Sequence, residues 1–218
     1  MGKRLRPLTL DKPKVMVEVQ GEPMLAHVLR GLKPYVTEVV IVVGYKKEAI
    51  IEYFEDSFEG LPIKYVEQVD YKGTAHAPLF AEEYIDDDFL LVYGDLFFKP
   101  VYDEILSMDA DGVIMAKEVL EPQHYGVLEL DEGGFLCGIQ EKVPNPPSNL
   151  INAGVYFLPV EIFEACKSVP LSERGEYELT DAIMLLVDKG FKFRTVINND
   201  WMDLGTPERL RQAEELIF

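Results

Sequence analysis

Gly2-Lys3-Arg4-Leu5-Arg6, followed by Lys12-Pro13-Lys14, gathers five cations into fourteen residues against the single carboxylate of Asp11. Gly2 lets a backbone approach a ligand closely, and guanidinium and ammonium groups beside it suit a phosphate. Two acidic positions could serve the same ligand from the other side. Asp95 follows Gly94, and Asp203 lies in Asp200-Trp201-Met202-Asp203-Leu204-Gly205-Thr206-Pro207. Hard carboxylate oxygens bind magnesium, and such an ion neutralises a polyphosphate. Each has an ordinary alternative: Asp95 as a turn residue, and Asp203 in a capping region where Thr206 starts a helix at Pro207. Their separation in sequence says nothing about their distance in space.

Further polar positions suit a nucleotide or a sugar. In Gly73-Thr74-Ala75-His76-Ala77 small residues open a helix-like segment, where a flat base or ribose could lie against the backbone. Gln68, just upstream, could read a base edge through its amide. Equally, Thr74 could simply cap a helix. Glu141-Lys142 at a strand end and Asn152-Ala153-Gly154 in the next strand suit a sugar and its phosphate, or could be solvated surface groups. No nucleophile paired with a base is apparent, which argues against covalent catalysis. Neither GxxxxGK[ST] nor GxGxxG occurs, so P-loop and dinucleotide readings lose their main support.

The net charge of −18 disfavours nucleic-acid and anionic-membrane partners, which need basic surfaces, and makes the basic first segment stand out. At 48% hydrophobic, the 218 residues can bury a sizeable core and read as one domain. Cys137 and Cys166 are too few for a disulfide framework, and no Cys/His cluster offers a zinc site. No apolar run reaches transmembrane length and none follows the basic start as a signal peptide would, so a cytoplasmic location is expected.

These groups need a frame. Strands are expected over 38–43, 63–66 and 89–93, with helices over 46–54 and 75–84, the last with Pro78 in its first turn. That alternation is a βαβ pattern and implies a parallel sheet, with the apolar run 89–93 as a central strand covered on both faces. Ligands of open α/β sheets bind outside the carboxyl ends of strands, which is where Gly94-Asp95 falls. The second half changes character. Strands over 112–116, 126–130, 135–140 and 151–158 are separated by turns, including the hairpin signal Asp131-Glu132-Gly133-Gly134. Helices over 160–167 and 178–189, a strand over 191–196 and an amphipathic helix from Pro207 complete an α/β domain with an antiparallel elaboration.

Taken together, these residues resemble the sugar-1-phosphate nucleotidyltransferases. The opening Gly2-Lys3-Arg4-Leu5-Arg6-Pro7-Leu8-Thr9 with Lys12-Pro13-Lys14 is similar to that family's signature loop. Glu67-Gln68, Gly73-Thr74-Ala75-His76-Ala77, Tyr93-Gly94-Asp95, Tyr125-Gly126, Glu141-Lys142, Asn152-Ala153-Gly154 and the segment from Trp201 to Pro207 follow in the family's order. The resemblance implies a Rossmann-like nucleotide-diphospho-sugar transferase fold with a mixed, mostly parallel sheet flanked by helices. Its nucleotide-binding part would span about 1–110, and its sugar-phosphate part about 111–218. It also implies the reaction of an NTP with a sugar 1-phosphate to give an NDP-sugar and pyrophosphate, with Mg²⁺ and no covalent intermediate.

By position, the resemblance assigns Arg4 and Lys14 to catalysis and Gly2, Gln68, Gly73 and Thr74 to the nucleotide. It assigns Gly126, Glu141, Lys142 and Asn152 to the sugar phosphate, and Asp95 and Asp203 to the metal. Gln68 would suit uracil or thymine. A homo-oligomer is compatible with it; nucleic-acid and membrane partners are not expected. Two departures stand out. Val143 replaces a frequent Pro after Glu-Lys, and family members carry an apolar strand and an Ala-Ala-Gly-like turn ahead of the equivalent of Gly2. The latter implies that Met1 is internal to a protein longer by roughly ten residues, whose extra strand fills a gap in the sheet. Two other functions remain open: a catalytically silent binding module on the same fold, or a nucleotidyltransferase for a phosphorylated alcohol.

Overall fold

The run Val39-Val40-Ile41-Val42-Val43 has the β-branched composition that favours a pleated strand, and it forms one in the computed structural model, which describes residues 5–216. Gly2, Lys3 and Arg4 lie outside the described residues. The first half of the chain contains β1 (Glu18–Val19), β2 (Glu22–Pro23), α1 (Met24–Leu32), β3 (Val39–Val43), α2 (Lys47–Phe54), β4 (Ser57–Phe58), β5 (Leu61–Glu67), β6 (Phe89–Val92), β7 (Leu96–Phe98) and α3 (Tyr102–Ser107). Then come β8 (Gly112–Glu118), β9 (Gly126–Leu130), β10 (Leu136–Glu141), β11 (Leu150–Leu158), α4 (Ile162–Ser168), α5 (Leu179–Asp188), β12 (Phe193–Ile197), β13 (Trp201–Asp203) and α6 (Pro207–Ala213). Among the described residues no helix is long and apolar enough to cross a membrane.

The chain forms two units. The first comprises residues up to Val69, then Tyr93–Tyr102, then those from Asp200. In it β3 pairs in parallel with β5, β4 adds antiparallel to β5, and β13 pairs antiparallel with β7. Helix α1, which the sequence reading passed over, buries Met24, Leu25, Val28, Leu29 and Leu32. That three-and-four spacing is the stripe of an amphipathic helix. Met24 joins Leu5, Val17, Val19, Phe97, Leu204, Leu210 and Ala213 in one apolar cluster. Leu25, Ala26 and Leu29 join Met16, Val43, Ile50, Phe54 and Ile63 in another. Burying a Leu or Phe of this kind stabilises by about 1.5–3 kcal/mol. Leu5 and Thr9 are both buried.

The second unit comprises Asp70–Val92 and Asp103–Asn199. Its sheet has the order β10-β9-β11-β8-β12, and β6 also pairs with β11. Only β12 with β8 is parallel here; β11 runs antiparallel to β6, β8 and β9. The α/β class and the mixed sheets therefore agree with expectation, while parallel pairing is rarer than the βαβ rhythm suggested.

Two local expectations are corrected. The run at 89–93 is β6, paired antiparallel with β11 alone among the described residues and only half-buried. An all-apolar strand need not be a central parallel one. The segment 75–84 is not an α-helix but two 3₁₀ turns, Pro78–Phe80 and Glu82–Tyr84. Upstream, Ala75 N–H donates to Tyr177 O and the Thr74 hydroxyl accepts from Leu179 N–H.

Candidate active site

Asp95 and Asp203 stand more than a hundred positions apart, and a three-residue ladder brings them together. β7 begins immediately after Asp95, β13 ends on Asp203, and the antiparallel register sets Asp203 opposite Leu96. A Cβ at Gly94, beside them, would meet Leu25 Cδ1 and Val15 Cγ1 at 3.3 Å each, a tight fit. Lys14 opens a 3₁₀ turn, Lys14–Met16, whose Met16 is buried. Its Nζ donates to Asp95 Oδ2 at 2.5 Å and to Asp203 Oδ1 at 3.1 Å. The lysine side chain is only 16% exposed, so this double ion pair is largely shielded from solvent.

A fourth side chain, missed from sequence, completes the arrangement. Arg209 Nη1 donates to Asp203 O at 3.3 Å and to Asp203 Oδ2 at 3.4 Å. It sits in the first turn of α6, where its backbone N–H is capped by the Thr206 hydroxyl at 3.3 Å, as the Thr-Pro start suggested. The signal was available: a residue two positions past Pro207 lies in the helix turn next to Asp203. Among the described residues Asp203 thus has two cationic partners and Asp95 one. Among the described residues no group of three or more His, Cys, Asp or Glu side chains is placed to hold a metal. An ion at Asp95 and Asp203 would need further oxygen ligands, which a bound phosphate or water can supply.

Gln68 also belongs to the first unit. Its N–H donates to Val43 O at the end of the β3–β5 ladder, and its side chain is half-exposed. The neighbouring Glu67 is held by Lys47. Gly2 and Arg4 lie outside the described residues.

In the second unit the structure brings Gly126, Glu141 and Asn152 to one end of three adjacent strands. Glu141 pairs directly with Gly126, and Ile151 pairs with Val127, so Asn152 comes next along that register. A Cβ at Gly126 would lie 2.6 Å from Glu141 Oε1, so glycine leaves room for the carboxylate. Asn152 begins a bulge in β11 that continues through Gly154, whose φ is +78°. Its Nδ2 donates to the buried Tyr156 hydroxyl at 2.7 Å, and its Oδ1 accepts from Gly154 N–H at 3.1 Å. Lys142 is exposed, with φ +50°, and its N–H donates to Tyr125 O.

Gly73 and Thr74 have structural partners in the same unit. A Cβ at Gly73 would lie 2.3 Å from Tyr177 O, so the close backbone approach that needs glycine here is to Tyr177. Thr74 Oγ1 accepts from Leu179 N–H at 2.9 Å and donates to Glu178 Oε2 at 3.4 Å. Glu178 is buried and also receives Arg174 Nη1 at 3.0 Å, while Arg174 stands 3.7 Å from Glu141 Oε2. Neither Arg174 nor Glu178 was singled out from sequence, because a charge inside a run such as Glu173-Arg174-Gly175-Glu176 reads as solvated surface.

Burial, reinforced by the nearby Glu178 carboxylate, raises the Glu141 pKa above the ordinary 4.5. Ionisation is thus disfavoured in the folded chain. The group's contribution to stability is full below 4.5 and is lost as pH rises through the raised folded value. Glu141→Gln removes that loss. The variant should gain stability relative to the parent on going from about pH 4 to about pH 7. Urea midpoints at both pH values measure it, and a difference that stays constant or shrinks would contradict the assignment.

With the geometry in place, comparison with known proteins is informative. The family model described as "Nucleotidyl transferase" matches residues 1–217. The chain is 42% identical over 222 residues to the UTP–glucose-1-phosphate uridylyltransferase AglF of Haloferax volcanii, covering 98% of this chain and 91% of that protein. It is 40% identical over 221 residues to the bifunctional protein GlmU of Methanocaldococcus jannaschii, covering all of this chain and 52% of that protein. The chain therefore spans about half the length of the GlmU relative. A crystal structure from Bacillus anthracis, described as a glucose-1-phosphate thymidylyltransferase in complex with sucrose, superposes with a TM-score of 0.87 at 25% identity. It covers 100% of this chain and 93% of that one, which bears out the nucleotidyltransferase fold. The chain belongs to the nucleotidyl transferase family.

Proposed function

We propose that the chain transfers a nucleoside monophosphate from an NTP to a sugar 1-phosphate, forming an NDP-sugar and releasing pyrophosphate. The observation that carries this reading is the shared grip of Lys14 on Asp95 and Asp203, an ammonium and two carboxylates within one hydrogen-bonded cluster. The Haloferax volcanii relative and the Bacillus anthracis structure bear a name and a description that fit it, and both name glucose 1-phosphate. UTP or dTTP with glucose 1-phosphate is accordingly the first substrate pair to try, and the Gln68 amide has the donor and acceptor to read a uracil or thymine edge.

Asp95 and Asp203 suit magnesium on their own chemistry. Their oxygens are hard, an ammonium already bridges them, and magnesium is commonly held by one or two carboxylates plus substrate phosphates. When bound, the ion supplies Lewis-acid neutralisation of the triphosphate. The remaining work falls to the chain. A sugar phosphate has a second pKa near ~6 and is ionised at neutral pH, so its oxygen needs no general base. That oxygen forms a bond to the α-phosphorus, and the bond from the α-phosphorus to the β-bridging oxygen breaks. The electron pair leaves with pyrophosphate. Lys14, turned to the phosphates, would stabilise the charge gathering there. Gly126, Glu141, Lys142 and Asn152 would hold the sugar phosphate, and Glu141 and the Asn152 amide offer partners for sugar hydroxyls. Gly2 and Arg4 would add backbone and guanidinium contacts to the triphosphate. A cytoplasmic location, where nucleoside triphosphates are plentiful, goes with this reading.

Pyrophosphate release with four NTPs against a panel of sugar 1-phosphates and phosphocholine tests it. Turnover confined to a sugar 1-phosphate is the expected result. Turnover only with phosphocholine would move the protein to a different substrate class, and binding of nucleotide without turnover of any pair would mark a silent module.

A further inference from the structure

We infer that Lys14 is a built-in counter-cation for Asp95 and Asp203, so that a divalent ion binds the pair weakly alone and strongly once a triphosphate has drawn the lysine away. The inference rests on the nucleotidyltransferase reading and concerns how metal and nucleotide are coupled at that site.

Three observations carry it. First, Nζ lies 2.5 Å from Asp95 Oδ2 and 3.1 Å from Asp203 Oδ1, so the two oxygens can be no farther apart than the sum of those lengths. The ammonium thus occupies the space between the two carboxylates that a divalent ion held by both would need, and the two cations would compete for it. Second, among the described residues two carboxylates of the cluster face two cations. Two carboxylates face Lys14, and Arg209 takes the outer oxygen of Asp203. A metal added without removal of the ammonium brings excess positive charge into a group of side chains that are mostly shielded from water, where repulsion is poorly screened. Third, the two cations are held differently. Arg209 Nη1 reaches both the carbonyl and the carboxylate of Asp203, whereas Lys14 meets two carboxylates with the one ammonium at the end of its stem. Lysine is the partner suited to leave. A triphosphate gives it several anionic oxygens in exchange.

Coupling of this kind is reciprocal: if nucleotide strengthens metal binding, metal strengthens nucleotide binding by the same factor. It would also serve a chain of net charge −18, because two adjacent carboxylates without a resident cation would collect stray divalent ions.

The test uses Mn²⁺ as probe, followed by its paramagnetic signal and by water-proton relaxation, on the full chain without sugar phosphate. The parent protein should bind Mn²⁺ weakly alone, and adding UTP should tighten binding by a factor within the usual range of about 5–150. Lys14→Met should bind Mn²⁺ alone at least about fivefold more tightly than the parent, and should lose most of the enhancement by UTP. Lys14→Gln is the second variant should methionine impair folding, and the circular dichroism of both is compared with the parent. Adding Asp95→Asn to either variant should abolish the gain, which locates the ion at this pair. Equal Mn²⁺ affinity of the parent with and without UTP, or no gain in both lysine variants, overturns the inference. Pyrophosphate release by the same preparation separates the two ideas. Turnover with tight nucleotide-free Mn²⁺ sinks the counter-cation and leaves the transferase, whereas the expected Mn²⁺ pattern without turnover supports the counter-cation and sinks the transferase.

Discussion

Lys14→Met should lower kcat for nucleotidyl transfer by about 10²- to 10³-fold at saturating magnesium, the usual cost of losing one preorganised charge-stabilising donor. The size follows from what the ammonium is expected to do: meet charge that grows as the bond to pyrophosphate lengthens, in a place already lined by Asp95 and Asp203. A loss confined to KM for the NTP, with kcat intact, would mean that the lysine only holds the ground state. Initial rates of pyrophosphate release with the NTP and the sugar phosphate varied in turn make the distinction. Lys14→Arg is the informative companion. A planar guanidinium keeps the charge but cannot place a point donor between two carboxylates, so it should recover only part of the loss. A drop below about threefold for Lys14→Met would remove the residue from the catalytic set.

Gly73→Val should produce the largest loss of stability of any single change considered. The φ at Gly73 is +123°, a region that L side chains rarely enter, and a Cβ there would lie 2.3 Å from Tyr177 O and 2.6 Å from Tyr177 N. A strained backbone costs about 1–3 kcal/mol, and forcing atoms into a packed contact about as much again. The neighbour is backbone, held by Ala75 N–H to Tyr177 O and Tyr177 N–H to Lys72 O, so it cannot swing aside as a side chain would. A total of about 2–6 kcal/mol is a large part of the stability of most domains. Gly175→Ala is the control within the same unit: φ there is +76°, with nothing within 4 Å of a Cβ. It should cost about 1–2 kcal/mol, the conformational part alone. Urea unfolding of both variants reads the difference, and equal losses would show that the Tyr177 contact yields.

The positions of these residues were legible from sequence to very different degrees. β3, α2, β5 and the strands of the second half announce themselves through β-branched runs, helical spacing and turn residues, and the structure places them within a few residues of expectation. The chemistry at Asp95 was legible only as a possibility at a strand end, because β7 and β13 have three residues each and carry no periodicity to reveal their pairing. That pairing is what brings two distant aspartates onto one lysine. Gly73 and Thr74 show a different case. Small residues before a helix-like segment suggested room for a base, and the structure adds a close approach to Tyr177 that the same residues permit. Arg209 and Arg174 were passed over because a charge in a polar run looks alike whether it points to solvent or folds back onto a carboxylate.

The route of the chain through the first unit has a consequence for biosynthesis. Asp203 and the buried residues Leu204, Leu210 and Ala213, which pack with Leu5 and Met24, are made after the whole of 103–199. At ribosomal speeds of about 5–20 residues per second, Lys14 and Asp95 wait several seconds or more for the strand that completes their cluster. Most of the second unit's long segment is made within that delay. A ribosome stalled just short of Asp203 would thus hold a chain able to build most of its β-structure yet lacking the aspartate that joins Asp95 on Lys14, so this cluster cannot close until 103–199 has been made.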